Sequence, residues 1–94
     1  MERTFHVYIM ASESGVIYLG VTGGIAKRIG IHKQRQNKGF TRKYNVTKLV
    51  WYEPHSTARA AIACEKEIKK WRRQKKAALI ESVNPGWRDL TDTL

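Results

Sequence analysis

The stretch from Val7 to His32, VYIMASESGVIYLGVTGGIAKRIGIH, constrains this chain more than any other. Two short apolar runs, each with a tyrosine, flank a small polar turn; a glycine pair and a helical pattern follow. Phe5, Val7 and Ile9 alternate with His6, Tyr8 and Met10, which is the period of a strand. Ala11 to Gly15 is small and polar and ends in glycine, so it reads as a turn. Val16 to Thr22 is β-branched and aromatic, as a second strand prefers. Antiparallel pairing about Glu13 puts Tyr8 opposite Tyr18, and directly opposed residues share one face of a sheet. A bulge in the turn would break that inference. The two phenols then project from the same side, either simply to pack or to do chemistry.

A helix is expected from about Ile25 to Gln36, capped by Thr22 or Gly24. Ile25 and Ile29 sit one turn apart, as do Arg28 and His32, which share a face beside the isoleucine stripe. An arginine and a histidine there are either ordinary boundary residues or groups aimed at whatever the tyrosines face.

The polar segment Gln34 to Tyr44 reads as a loop around Gly39. In it Lys38, Arg42 and Lys43 surround Phe40 and Tyr44, a mixture that suits phosphates and bases or a solvated loop with rings tucked inward. Leu49 to Glu53 is a third strand stopped by Pro54. Its apolar run points to a strand covered on both sides or central in a small sheet, paired with the first or the second strand.

From a cap at Ser56 or Thr57 the pattern is helical to Arg73. Ala58, Ala61, Ile62, Cys64, Ile68 and Trp71 gather on one face at 3.6 residues per turn. Glu65 falls inside that face, about 40° from its centre, and Glu67 outside it. A carboxylate on a core-facing stripe needs a partner: hydrogen bonds, a metal or a cation, with Arg28 as the ordinary choice. Lys66, Lys69, Lys70 and Arg73, continued by Lys75 and Lys76, form the opposite face, either merely solvated or carrying phosphates. Lys75 to Val83 reads as a last helix with Ala78, Leu79, Ile80 and Val83 as its apolar stripe, ended by Asn84-Pro85-Gly86-Trp87. Asn before Pro is commonly a turn residue.

Charge narrows the partner. Lys and Arg number 18 against eight Asp and Glu, a formal net charge of +10 on 94 residues. A polyanion, most often nucleic acid, is the expected counterpart. A membrane surface fits less well, because no amphipathic segment has a clean bulky apolar face. The length suffices for one small domain, 1–94, with a core over about 4–90. The single cysteine, Cys64, permits no internal disulfide and fits a reducing, cytoplasmic setting. No signal-like apolar core follows Phe5, and no run is long enough to span a bilayer.

Taken in order, His6-Val7-Tyr8, Tyr18-Leu19-Gly20, Arg28, His32, Glu65-Lys66-Glu67-Ile68-Lys69 and Asn84 resemble the GIY-YIG nuclease superfamily, in its small stand-alone bacterial branch. His6-Val7 stands where the family has Gly-Ile, and Leu19 where it has Ile. The resemblance runs from Phe5 to about Leu90. It implies an α/β fold with a small central three-stranded, mainly antiparallel sheet flanked by helices. It implies a metal-dependent DNA endonuclease, acting in DNA repair or recombination, with Mg²⁺ or Mn²⁺ held by Glu65. Tyr8, Tyr18, Arg28, His32 and Asn84 would be catalytic, Arg28 binding the non-bridging phosphate oxygens. Tyr18 is the first choice for general base, with its phenol pulled below the reference value of about 10 by Arg28 and the metal. His32 is the rival base. Gly20 and Gly23 would let backbone approach the phosphate. Lys27, Lys38, Arg42, Lys43, Lys66, Lys69, Lys70 and Arg73 would carry the flanking DNA, branched or single-stranded substrates included. The alternatives are a non-catalytic basic nucleic-acid-binding module with the same fold, or a basic adaptor for an acidic protein.

Overall fold

A computed structural model describes residues 3–34 and 43–94. Its elements are β1 (Phe5–Ala11), β2 (Ile17–Thr22), α1 (Ile25–Lys33), β3 (Lys48–His55), α2 (Ala58–Lys69) and α3 (Arg73–Val83), then a short 3₁₀ turn over Thr91–Thr93. The three strands form one antiparallel sheet in the order β2-β1-β3. This is the α/β sheet with flanking helices that the sequence resemblance implies.

β1 is the central strand, and Val7 to Ala11 are buried without a break. Its two sets of alternate residues feed two cores. Val7, Ile9 and Ala11 join Val50, Trp51, Ala61, Ile68 and Ile80 under α2 and α3. Tyr8 and Met10 join Ile29, Val46 and Leu49 under α1. A strand apolar on both faces belongs in the middle of a layered α/β arrangement.

The hairpin register differs from the expectation. Tyr8 pairs with Gly20, and Met10 with Tyr18, so the turn centres on Ser14 rather than Glu13. Ser12 holds this turn: its Oγ accepts from Val16 N at 3.0 Å, and its N donates to Val16 O at 2.9 Å. Gly15 sits at φ 91°, a conformation glycine takes freely. The displacement relative to the expected pairing is two residues, which preserves side-chain parity, so the tyrosines still share a face.

β3 lies at an edge and is not stopped by Pro54; it runs on to His55, with Pro54 paired to His6. An edge strand tolerates a residue without N–H, which explains the extension. Both faces of β3 are nevertheless covered, since Leu49 belongs to one core and Val50 and Trp51 to the other. A register shift opposite Ile9 and Met10 leaves Val50 as the extra residue.

Thr57 is the N-cap of α2, its side chain accepting from Ala60 N at 3.1 Å. The helix ends at Lys69, short of the expected Arg73. Lys70 N and Trp71 N bond back only three residues, to Glu67 O and Ile68 O. This tightens the last turn and lets the Trp71 ring settle against the core. Arg72 is extended, and Arg73 opens the next helix. On α2, Ala61 and Ile68 are buried, but Ile62 is 43% exposed, off the stripe expected of it. On α3, Ile80 is buried and Leu79 packs on the core, whereas Ala78 is exposed and Val83 is 65% exposed. Among the described residues, no helix is long and apolar enough to cross a membrane.

Candidate active site

Tyr8 comes from the centre of β1 and lies across β2 at Gly20. A Cβ on Gly20 would stand 2.6 Å from both Cζ and Oη of Tyr8. The absent side chain is therefore the channel through which the phenol passes. Gly20 serves a neighbouring ring here, which is a different reason for glycine from the phosphate approach expected of it. Gly23 meets the Arg3 side chain instead, whose Nε donates to Gly23 O at 3.4 Å.

Tyr18, diagonal to Tyr8 on the same face, brings its ring centroid to 6.3 Å from that of Tyr8. His32 arrives from the last turn of α1, where it is buried beside Ile29 in the helix's inward face. Its centroid is 5.9 Å from Tyr8 and 5.4 Å from Tyr18. Tyr8 Oη and His32 Nε2 are 3.2 Å apart, within hydrogen-bond reach. Three rings from three elements thus close on one point.

The electrostatics of that point are specific. Burial, then the Tyr18 phenol, pushes the Tyr8 hydroxyl far above its ordinary value, and Arg28 opposes this without reversing it. Tyr8 is a neutral phenol. Burial, then Arg28, pulls His32 below its ordinary 6.5, so its imidazole is neutral at pH 7. Two neutral groups share the bond, and the phenol O–H donates when His32 carries its proton on Nδ1. A hydrogen bond also links Tyr8 to Tyr18.

Arg28 and Glu65 stand on different helices, and the charge of each is felt at this cluster. Arg28 is exposed on α1, one turn before His32. Glu65 is on α2, with its side chain 18% exposed. Both act on the charge of the Tyr8 hydroxyl, Arg28 lowering its pKa and Glu65 raising it. Glu65 pairs with Lys69, 3.5 Å away one turn on, and not with the Arg28 that the sequence offers. Lys69 is itself more than half exposed, so this is a loose pair and the carboxylate is not locked. A single, mostly buried carboxylate near the neutral Tyr8 phenol suits a hard divalent ion that keeps most of its waters.

Asn84 is placed differently. It caps α3, is buried, and all its polar atoms bond to backbone. Nδ2 donates to Val50 O at 3.0 Å and to Arg88 O at 2.8 Å, while Oδ1 accepts from Arg88 N at 3.0 Å. Its observed work is to fasten the turn after α3 onto β3, so the turn reading describes it and its bonds give it no share in the ring cluster.

The basic residues divide. Lys27, Lys43, Lys66 and Lys70 are exposed. Lys38 and Arg42, with Phe40, lie outside the described residues. Arg73 does not continue the basic face of α2, because that helix ends before it; its Nη2 donates to Gly15 O in the hairpin turn. Lys75 lies 4.2 Å over the Trp71 ring.

One supporting residue had no signal in the sequence. Asp89 accepts from Lys33 at the end of α1, from Leu49 N on β3 at 3.2 Å, and from both N and Oγ1 of Thr91. Leu90 N then donates to Leu49 O at 2.7 Å. A lone aspartate in a tail gives no period to read, and its partners lie on distant segments.

Known proteins resemble this chain in sequence and in fold. The family model described as the GIY-YIG catalytic domain matches residues 4–78. A UPF0213 protein of Bacillus pumilus is 31% identical over 84 residues, covering 88% of this chain and 86% of that protein. One from Staphylococcus saprophyticus is 36% identical over 75 residues, covering 80% of this chain and 92% of that one. One from Haloquadratum walsbyi is 33% identical over 81 residues, covering 86% of this chain and 91% of that one. The solution structure of the UPF0213 protein BH0048 from Bacillus halodurans superposes with a TM-score of 0.60 at 26% identity, over 95% of both chains.

Proposed function

This chain belongs to the GIY-YIG catalytic-domain family, and from that premise we propose that it hydrolyses phosphodiester bonds in DNA. The observation that carries the proposal is the meeting of the Tyr8, Tyr18 and His32 rings, with the charges of Arg28 and Glu65 both felt at the Tyr8 hydroxyl.

Hydrolysis of a phosphodiester needs a proton acceptor for the attacking water and positive charge for the phosphoryl oxygens. Arg28, permanently charged and exposed on α1, binds the non-bridging oxygens. Glu65 would hold Mg²⁺ or Mn²⁺, which supplies Lewis acidity at the scissile phosphate and the leaving oxygen. Tyr18, the less buried phenol, is the group that a water beside the phosphate meets. His32 is buried and cannot meet that water itself, yet its neutral imidazole is ready to take a proton. The two candidates for the base are then two ends of one path. Tyr18 accepts the water's proton while its own moves to Tyr8, and that of Tyr8 moves to Nε2 of His32. The proton ends on His32 as imidazolium, and both phenols end neutral.

Exposed Lys27, Lys43, Lys66 and Lys70 contact flanking phosphates. The test is incubation with duplex, single-stranded, nicked and branched DNA, with Mg²⁺, Mn²⁺ or chelator. Cleavage that needs the metal and is lost in Glu65→Ala supports the reading. Salt-sensitive binding without scission on every substrate overturns it in favour of a non-catalytic DNA-binding module.

A further inference from the structure

A second group of metal-binding side chains stands apart from the tyrosines. β3 carries Glu53 and His55 two residues apart, hence on one face, with Pro54 stiffening the strand between them. α2 lays Cys64 over that face. One ligand atom from each of the three lies within 4.8 Å of the others. Cys64 Sγ is 3.7 Å from Glu53 Oε1, and His55 Nε2 is 2.9 Å from the same oxygen. That nitrogen is nonetheless buried without the alignment of a hydrogen bond, so the contact with Glu53 leaves its hydrogen-bonding capacity unused.

We propose that Glu53, His55 and Cys64 bind a zinc ion between β3 and α2, with water in the fourth position. Thiolate, imidazole and carboxylate together form the donor set of a borderline-soft, tetrahedral ion. At metal–ligand distances of about 2.0–2.3 Å, tetrahedral donors stand about 3.3–3.8 Å from each other. The Cys64–Glu53 separation already lies in that range, and the His55–Glu53 contact widens into it by a small side-chain rotation. Glu53 is exposed, which opens a path for the ion and leaves the fourth position to solvent. The thiol proton leaves to solvent as the sulfur binds. This donor set is unsuited to Mg²⁺, which takes oxygen ligands, so the site and the Glu65 carboxylate select different ions. Cys64 directly precedes Glu65, so zinc at Cys64 would pin the turn of α2 that carries the acidic residue.

The test is titration of metal-free protein with Co²⁺ at neutral pH, followed by Zn²⁺. The expected result is a thiolate-to-cobalt charge-transfer band in the near ultraviolet that saturates at one equivalent and is displaced by zinc. Cys64→Ser should abolish the band, and Glu53→Gln and His55→Ala should each weaken binding at least about tenfold. Glu65→Gln should leave it unchanged. Zinc should also raise the melting temperature of the wild type and not that of Cys64→Ser. Absence of the band, or a band of unaltered affinity in both Glu53→Gln and His55→Ala, overturns the proposal, because the thiol would then bind no cobalt or bind it alone.

Discussion

Gly20 is dictated by a residue on the neighbouring strand. The Tyr8 ring occupies the space where a side chain at Gly20 would begin. Gly20→Ala should therefore displace the phenol and cost about 1–3 kcal/mol of stability, readable by urea denaturation. It should also lower cleavage more than stability, since the hydroxyl that meets His32 moves. His32 sets a pH dependence of its own. Its folded pKa lies below 6.5, so the ring stays a proton acceptor until the pH falls beneath that value. The acid limb of kcat/KM should accordingly lie below pH 6.5, and a pH–rate profile checks it. His32→Ala should lower kcat by about 10²–10⁴-fold, the usual loss for a proton acceptor. The shared face of the two tyrosines was legible from strand period alone, because a displacement by an even number of residues keeps parity. The pairing itself was not legible, because the Ser12 hydroxyl and not the residue count fixes the turn.

Helices and strands were legible where burial has a period, and misplaced where tertiary contacts set the ends. The wheel placed Glu65 on the inward stripe of α2, but its choice as the metal ligand came from the family resemblance of Glu65-Lys66-Glu67-Ile68-Lys69. The break after Lys69 was missed because Trp71 fits the α2 stripe and also fits the core from a tightened last turn. Pro54 reads as a stop in a central strand and as nothing unusual at an edge, and only the strand order tells the two apart. Asn84 shows the same limit. One of its bonds joins the end of α3 to Val50 on β3 and two close the turn at Arg88, segments that no sequence pattern relates. Asn84→Ala leaves Val50 O without this donor and should destabilise the fold by about 1–3 kcal/mol, measured by thermal unfolding. Cleavage by the fraction still folded should hardly change, whereas a residue that touched the reacting phosphate would lose rate without losing stability.

At the scale of the whole chain, charge and one clasp set the behaviour. A net charge of +10 with exposed Lys27, Lys43, Lys66 and Lys70 should give DNA affinity that falls steeply and log-linearly with salt. Replacing any one of these lysines should reduce that slope by about one unit, in titrations at several salt concentrations. Asp89 joins α1, β3 and the final segment. Burial pushes its carboxyl up, but hydrogen bonds from Lys33, Thr91 and Leu49 N outweigh this and hold it at about 2, against 3.8 when unfolded. A depressed folded value means that the unfolded chain binds the proton first as acid is added. The clasp's contribution is whole above about pH 3.8 and disappears as the pH drops through about 2. Acid unfolding of Asp89→Asn should lack that component. The strand order also bears on how the polypeptide is born. Of the three strands β1 leaves the ribosome first, yet its second neighbour is completed only at His55. At synthesis rates of about 5–20 residues per second, the most apolar strand waits seconds for the partner that shields it. A nascent chain of this design must therefore be guarded against self-association while β1 waits, before the helix that carries Glu65 has been made.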